Sequence, residues 1–179
     1  VKQSVIILYG SLARHLDSHD SRIDTIVNRL LQSLDTPSED VQYAVSECIA
    51  PLVPFIKTKL SKFIDDLFDK LFDQKSLAIR RGAAYGIAGL AKGVGIKALC
   101  EFDIIRNLTE ASDDKKDTPK RESVMFAFEC ISQAFGPLFE PYVIEILPIV
   151  LKSFGDSSTE VREATDYAAR IIMKNTTSY

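Results

Sequence analysis

Five positions, Lys2, Gln42, Arg80, Arg121 and Arg162, recur at spacings of 40, 38, 41 and 41 residues, each within an apolar segment of helical period. An acidic residue precedes four of them by six or seven places: Asp35, Asp73, Asp114 and Asp156. Two markers that keep register across four units constrain the fold more tightly than composition does. A unit of about forty residues cannot bury its apolar side alone, so such units have to stack on one another.

Within each period the apolar residues fall into two helical stripes. Ile23, Ile26, Val27, Leu30, Leu31 and Leu34 follow i, i+3, i+4 spacing, the mark of an amphipathic helix. Thr36 and Glu39 have capping-box spacing around Pro37, which opens a second helix along Val41, Ala44, Val45, Cys48, Ile49 and Leu52. The cycle recurs with Leu60 to Phe72 and the segment after it. A less regular helix over 96–111 precedes one opened by Thr118 and Pro119, and a bent helix over 138–154 precedes Val161 to Lys174, which the Ser157/Glu160 capping spacing introduces. Val1, Val5, Leu8, Leu12 and Leu16 form the stripe of a leading helix. No strand alternation rivals these patterns.

The fold class expected is all-α, a solenoid of antiparallel helix pairs of the HEAT or armadillo kind; two helices per unit favour HEAT. The units run 1–17 as a half repeat, then 20–56, 57–95, 96–136 and 137–175. With helix pairs about 8–10 Å apart, the stack is a rod on the order of 40 Å long.

The segment RRGAAYGIAGLAKGVG, residues 80–95, holds five of the eight glycines. It is not a phosphate loop, because no G-x-x-x-x-G-K-[ST] spacing occurs and the run is helical rather than strand-like. Gly82, Gly86, Gly89 and Gly93 share one helix face. Each costs roughly 1 kcal/mol of helix propensity against alanine, so neighbouring helices must hold this one, at close approach.

The Asp and Arg markers point to structure rather than catalysis: an arginine near a helix start has five donors for the turn carboxylate of its own or the adjacent unit. Asp35, Asp73, Arg80, Asp114, Arg121, Asp156 and Arg162 form the expected ladder, weaker at the amino-terminal end where Gln42 and Lys2 replace arginine. No catalytic, cofactor or metal site is expected. His15 and His19, with Asp17 and Asp20, lack a third ligand at suitable spacing. Both histidines lie at that turn, which leaves no histidine for a triad elsewhere. Cys48, Cys100 and Cys130 are odd in number, far apart and set among apolar neighbours, which suits a reducing compartment. No apolar run reads as a membrane span or signal peptide.

Net charge is −3, but the distribution is uneven: residues 57–97 carry nine basic against four acidic side chains, between acidic flanks. Lys57, Lys59, Lys62, Arg81, Lys92 and Lys97 are the candidate contacts for an acidic partner or an RNA backbone. No aromatic residues interleave with them as base-stacking platforms would require.

The wording RRGAAYGIAGLAKGVGI, followed by KRESVMFAFECISQAFGPLFEPYVIEILPIVLKSFGDSSTEVREATDYAARIIM, resembles the HEAT region shared by fungal elongation factor three and the large general-control translational activators, and favours the activator branch. The resemblance implies a cytoplasmic, ribosome-associated scaffold. Its partners would be an ATP-binding-cassette protein and the ribosome, with direct ribosomal RNA contact or a purely structural HEAT spacer as the alternatives. The initiation factor two alpha kinase would be reached through other parts of a longer chain. No catalytic residue is implied.

Overall fold

The computed structural model describes residues 2–13, 15, 22–73 and 76–176. Among them ten α-helices follow one another: α1 Lys2–Ala13, α2 Arg22–Ser33, α3 Glu39–Ile49, α4 Leu60–Leu71, α5 Leu77–Val94, α6 Ala98–Glu101, α7 Ile104–Ser112, α8 Thr118–Phe135, α9 Glu140–Ser153 and α10 Thr159–Thr176. Among the described residues there is no strand.

The helices pair as α2 with α3, α4 with α5, α7 with α8 and α9 with α10. The second helices form one closely packed layer, α1–α3–α5–α8–α10, whereas consecutive first helices barely touch. A layer drawn together on one side and splayed on the other curves the stack toward its second helices.

Small residues make that layer close. A Cβ on Gly82 would stand 2.0 Å from the Leu34 carbonyl oxygen, and one on Gly89 would stand 2.7 Å from that of Ser46. Gly86 faces Leu34 and Leu67, and Gly93 faces Ala50 and Val53. The glycine face of α5 therefore lies against the preceding pair and its own partner α4. Gly10 repeats the device one layer earlier, against Cys48.

Several local expectations are corrected. The leading stripe of Val5, Leu8 and Leu12 is exposed, and α1 packs instead through Ile6, Tyr9 and Ala13; Val1 and Leu16 lie outside the described residues. Pro37 does not open α3. The Thr36 hydroxyl accepts from the Ser38 N–H, and the helix begins at Glu39. After Ile49 the chain tightens into 3-10 turns over Ala50–Phe55 and Lys57–Lys59, as Pro51 and Pro54 withhold donors. The helix expected over 96–111 divides into α6 and α7 at Asp103, whose φ of 50° is left-handed. The cap of α10 is Ser158, not Ser157: its Oγ accepts from Val161 N–H at 3.3 Å.

In α9, Ile146 and Val150 are buried, whereas Ile144, Leu147 and Leu151 are exposed. By length and hydropathy the run Thr118–Ser153 is apolar enough to cross a membrane, contrary to the sequence reading. It is not one straight helix, since Gly136 at φ 54° and a 3-10 turn over Gly136–Phe139 break it.

Candidate interface surfaces and the inter-repeat clamp

At Gln42, Arg80 and Arg121 the position that recurs every forty residues is buried in the second-helix layer and ties one pair to the next. The Gln42 amide nitrogen lies 3.0 Å from the Leu34 carbonyl, 2.7 Å from that of Thr36 and 2.8 Å from that of Ala78 in the following unit. Arg80 donates to the Pro119 carbonyl at 2.9 Å, to Glu122 at 2.8 Å and to the Ser123 hydroxyl at 3.1 Å. Arg121 forks onto both oxygens of Asp156, at 2.8 and 2.9 Å, and donates back to the Asp114 carbonyl at 2.9 Å. Arg162 binds the Asp156 carbonyl and the Thr159 hydroxyl.

The uniform Asp–Arg ladder is thereby corrected. Among the described residues only Arg121 takes the next turn's carboxylate. Asp114 is occupied by the Lys116 N–H and Lys120, so Arg80 turns to Glu122. Asp35 pairs with Lys70, and Asp73 closes its turn through a backbone bond to the Lys70 carbonyl. Nor is the rung at Gln42 a gap: its two amide N–H donors lie within reach of three carbonyls, one of them that of Ala78 in the following unit. Among the described residues its Oε1 and the Arg80 Nε are buried with no hydrogen-bond partner, a desolvation cost of order 1–3 kcal/mol each. The Lys2 side chain lies outside the described residues. Electrostatics follow the geometry: the Arg121 hydrogen bond holds the Asp156 carboxyl below its ordinary value, and Asp156 in turn raises Arg121.

The basic candidates divide by their partners. Lys59 pairs with Asp24, Lys92 with Glu47 at 2.8 Å and Arg81 with Glu39 at 3.2 Å. Exposed Lys57, Lys62 and Lys97 have no ion pair among the described residues. These three lie in or beside the connections α3–α4 and α5–α6, which leave second helices for the next first helix, and so share one edge of the stack. The acidic turns at Asp35, Asp73, Asp114 and Asp156 mark the opposite edge. Patterning could show the excess of charge but not which lysines are already neutralised.

A network that sequence reading missed lies on the second-helix layer. The Tyr85 hydroxyl donates to Glu39 at 2.9 Å, and the Arg81 guanidinium sits 5.2 Å over the Phe126 ring. Burial, then the charge of Glu39, pushes the Glu129 carboxyl up, partly offset by Arg81. Burial likewise raises the Tyr85 hydroxyl and the Cys130 thiol. Cys100, expected among apolar neighbours, is exposed, with its Sγ 3.3 Å from the Tyr142 hydroxyl; that contact pushes Tyr142 up to about 12.

The splayed first helices leave clefts. The one between α7 and α9 has a volume of about 440 Å³ and is bordered by the pairs Lys152–Asp113 and Arg121–Asp156. Of the polar turn residues, His15 is exposed, while Asp17, His19 and Asp20 lie outside the described residues. Among the described residues no three His, Cys, Asp or Glu side chains gather as metal ligands.

The close-packed second helices with their forty-residue clamp coincide with a known family pattern: the model of the EF3 N-terminal HEAT repeat matches residues 80–179. The chain belongs to the EF3-type HEAT-repeat family. Curated relatives extend the likeness over the whole chain. It is 57% identical over 180 residues to the eIF-2-alpha kinase activator GCN1 of Saccharomyces cerevisiae, which aligns with 100% of this chain. It is 45% identical over 179 residues to the human stalled ribosome sensor GCN1 and 42% identical to the Arabidopsis thaliana protein ILITYHIA, again over 100% of the chain. The chain spans about 7% of the length of each of these relatives. No solved structure matches it.

Proposed function

We propose that this HEAT segment is a non-catalytic scaffold within a cytoplasmic, ribosome-associated regulator of translation. It docks an ATP-binding-cassette partner protein, the ribosome or both, and supports activation of the initiation factor two alpha kinase, which other parts of a longer chain would contact. The observation that carries this reading is similarity along the entire chain to proteins named as a kinase activator and a stalled ribosome sensor. The fold supports it, because a clamped stack of helix pairs keeps surfaces at fixed spacing without a reactive centre. The units 20–56, 57–95, 96–136 and 137–175 are its repeating parts.

Unpaired Lys57, Lys62 and Lys97 are the contacts assigned to this docking, while Lys59, Arg81 and Lys92 serve internal pairs. A second reading, direct binding of ribosomal RNA, is favoured by the same lysines, since unneutralised ammonium groups on one edge suit a phosphate backbone. A pull-down with the cassette partner, comparing wild type with a Lys57/Lys62/Lys97 charge reversal, tests the first reading. Capture of wild type but not the reversal, with RNase treatment making no difference, is expected. Capture abolished by RNase moves the edge to RNA, and no capture of either form refutes the docking.

A further inference from the structure

Ser157 is relieved of the capping role that its spacing to Glu160 suggests. Ser158 caps α10 instead, accepting from the Val161 N–H and bonding Glu160 at 2.6 Å, so Ser157 stands exposed between α9 and α10. Its hydroxyl donates to the Asp156 carboxylate, and both residues line the cleft between α7 and α9. That cleft holds one positive charge in excess: Lys115, Arg121 and Lys152 face Asp113 and Asp156. Arg121 pairs with Asp156 and Lys152 with Asp113, which leaves the Lys115 ammonium without an ion pair among the described residues.

We propose that Ser157 is a phosphorylation site and that this cleft receives its phosphate. The donor is adenosine triphosphate, delivered by a protein kinase that reads an acidic residue three places after the acceptor. A bond forms from the Ser157 Oγ to the γ-phosphorus as the bond from that phosphorus to the β-phosphate oxygen breaks; the diphosphate leaves, and the hydroxyl proton passes to the kinase's base. Three serine or threonine residues among those described have a carboxylate at this distance: Thr36 before Glu39, Ser153 before Asp156 and Ser157 before Glu160. Thr36 is half-buried with its hydroxyl on the Ser38 N–H, and Ser153 lies within α9, bonded to the Ile149 carbonyl. Ser157 alone is exposed outside a helix, with exposed Glu160 in the first turn of α10. Opening that turn to a kinase costs little beyond the Ser158 cap, since the first N–H groups of a helix have no intrahelical partner. The phosphate, carrying about −1.5 to −2 charges near pH 7, is repelled by Asp156 and turns toward Lys115 and Lys152, each able to donate a charge-assisted hydrogen bond. The N-terminus of α10 favours the same charge. Lys115 belongs to the α7–α8 connection and Lys152 to α9, so the phosphate ties two consecutive units together on the side where their first helices are splayed.

The test is incubation of the 179-residue chain with adenosine triphosphate and a purified kinase of that acidic specificity, followed by mass spectrometry to place the phosphate. Ser157 should take up most of it, and Ser157→Ala should lose that uptake. Thermal melting then locates the phosphate in the fold. The melting temperature of the phosphorylated chain should rise by about 2–4 °C. The rise should vanish in the paired variant Lys115→Gln with Lys152→Gln, whose unphosphorylated form should melt with wild type because both side chains are exposed. No phosphate on Ser157, or uptake unchanged in Ser157→Ala, would overturn the modification site. An unchanged or lowered melting temperature, or a rise that persists without the two lysines, would overturn the cleft as the seat of the phosphate.

Discussion

Replacing Gly82 by alanine sets two effects of opposite sign against each other. Helix propensity alone predicts a gain of about 1 kcal/mol. The structure predicts a loss, because the new Cβ would stand 2.0 Å from the Leu34 carbonyl oxygen, about 1.4 Å inside the 3.4 Å at which ordinary contact begins, and 3.1 Å from the Gln42 amide nitrogen. The obstacle is backbone, so α5 itself must move away from the preceding pair. Overpacking of this kind costs about 1–3 kcal/mol. Displacing Gln42 from the Leu34 and Ala78 carbonyls removes roughly 1 kcal/mol per hydrogen bond. The net expectation is a loss of about 2–4 kcal/mol, or about 4–16 °C in melting temperature for a chain of this size. Thermal unfolding followed by circular dichroism measures it. Gly155→Ala is the control, since its Cβ would lie 3.6 Å from the Lys152 carbonyl oxygen, in ordinary contact; its melting point should shift by no more than about 0.5 kcal/mol in equivalent stability. A Gly82→Ala protein as stable as wild type would refute close packing as the reason for the glycine face.

Arg121→Ala should lower the melting temperature by more than Arg162→Ala, and both by more than Lys59→Ala; equal melting points for all three in parallel melts would remove the clamp. Truncating Arg121 leaves Asp156 largely buried without its partner, a loss of roughly 3 kcal/mol, whereas the exposed Lys59–Asp24 pair contributes at most about 1 kcal/mol. Because the folded-state pKa of Asp156 is depressed, its stabilisation is present above the unfolded value near 3.9 and is lost as pH falls through the folded value. Urea unfolding should therefore show Asp156→Asn less stable than wild type at pH 7, with the gap closing below about pH 4; a constant gap would contradict the linkage. An aromatic disulfide reagent should modify Cys100 in the native chain and reach Cys48 and Cys130 only after unfolding, as counted by released thiolate absorbance; three fast equivalents would contradict the packing around α3 and α8.

The helix pairs and the glycine face were legible because both rest on periodicity, and a period survives in a single sequence. Turns were less legible because several local donors and acceptors compete for each cap. Thr36 caps its near neighbour, Ser158 displaces Ser157, and Asp103 takes a left-handed conformation inside an otherwise helical run. The recurring position was visible, but its partners were not. Whether Arg80 meets Asp114 or Glu122 depends on the Lys116 and Lys120 contacts that already occupy Asp114. Gln42 looked like a defect in the pattern and is instead a three-carbonyl clamp. The basic middle was legible as charge, yet which lysines are free is settled by pairs reaching across about 35 to 45 residues of sequence.

Sedimentation of the 179-residue chain with purified ribosomes over a salt series measures whether the lysine edge of this scaffold meets the ribosome. Wild type should pellet at low salt and lose affinity as salt rises, and reversing Lys57, Lys62 and Lys97 to glutamate should abolish pelleting. Single alanine changes should each reduce the salt slope by about 0.7–0.9 for every phosphate the removed ammonium had neutralised. Undiminished pelleting of the triple reversal, or no pelleting of wild type at any salt, would contradict the assignment of that edge.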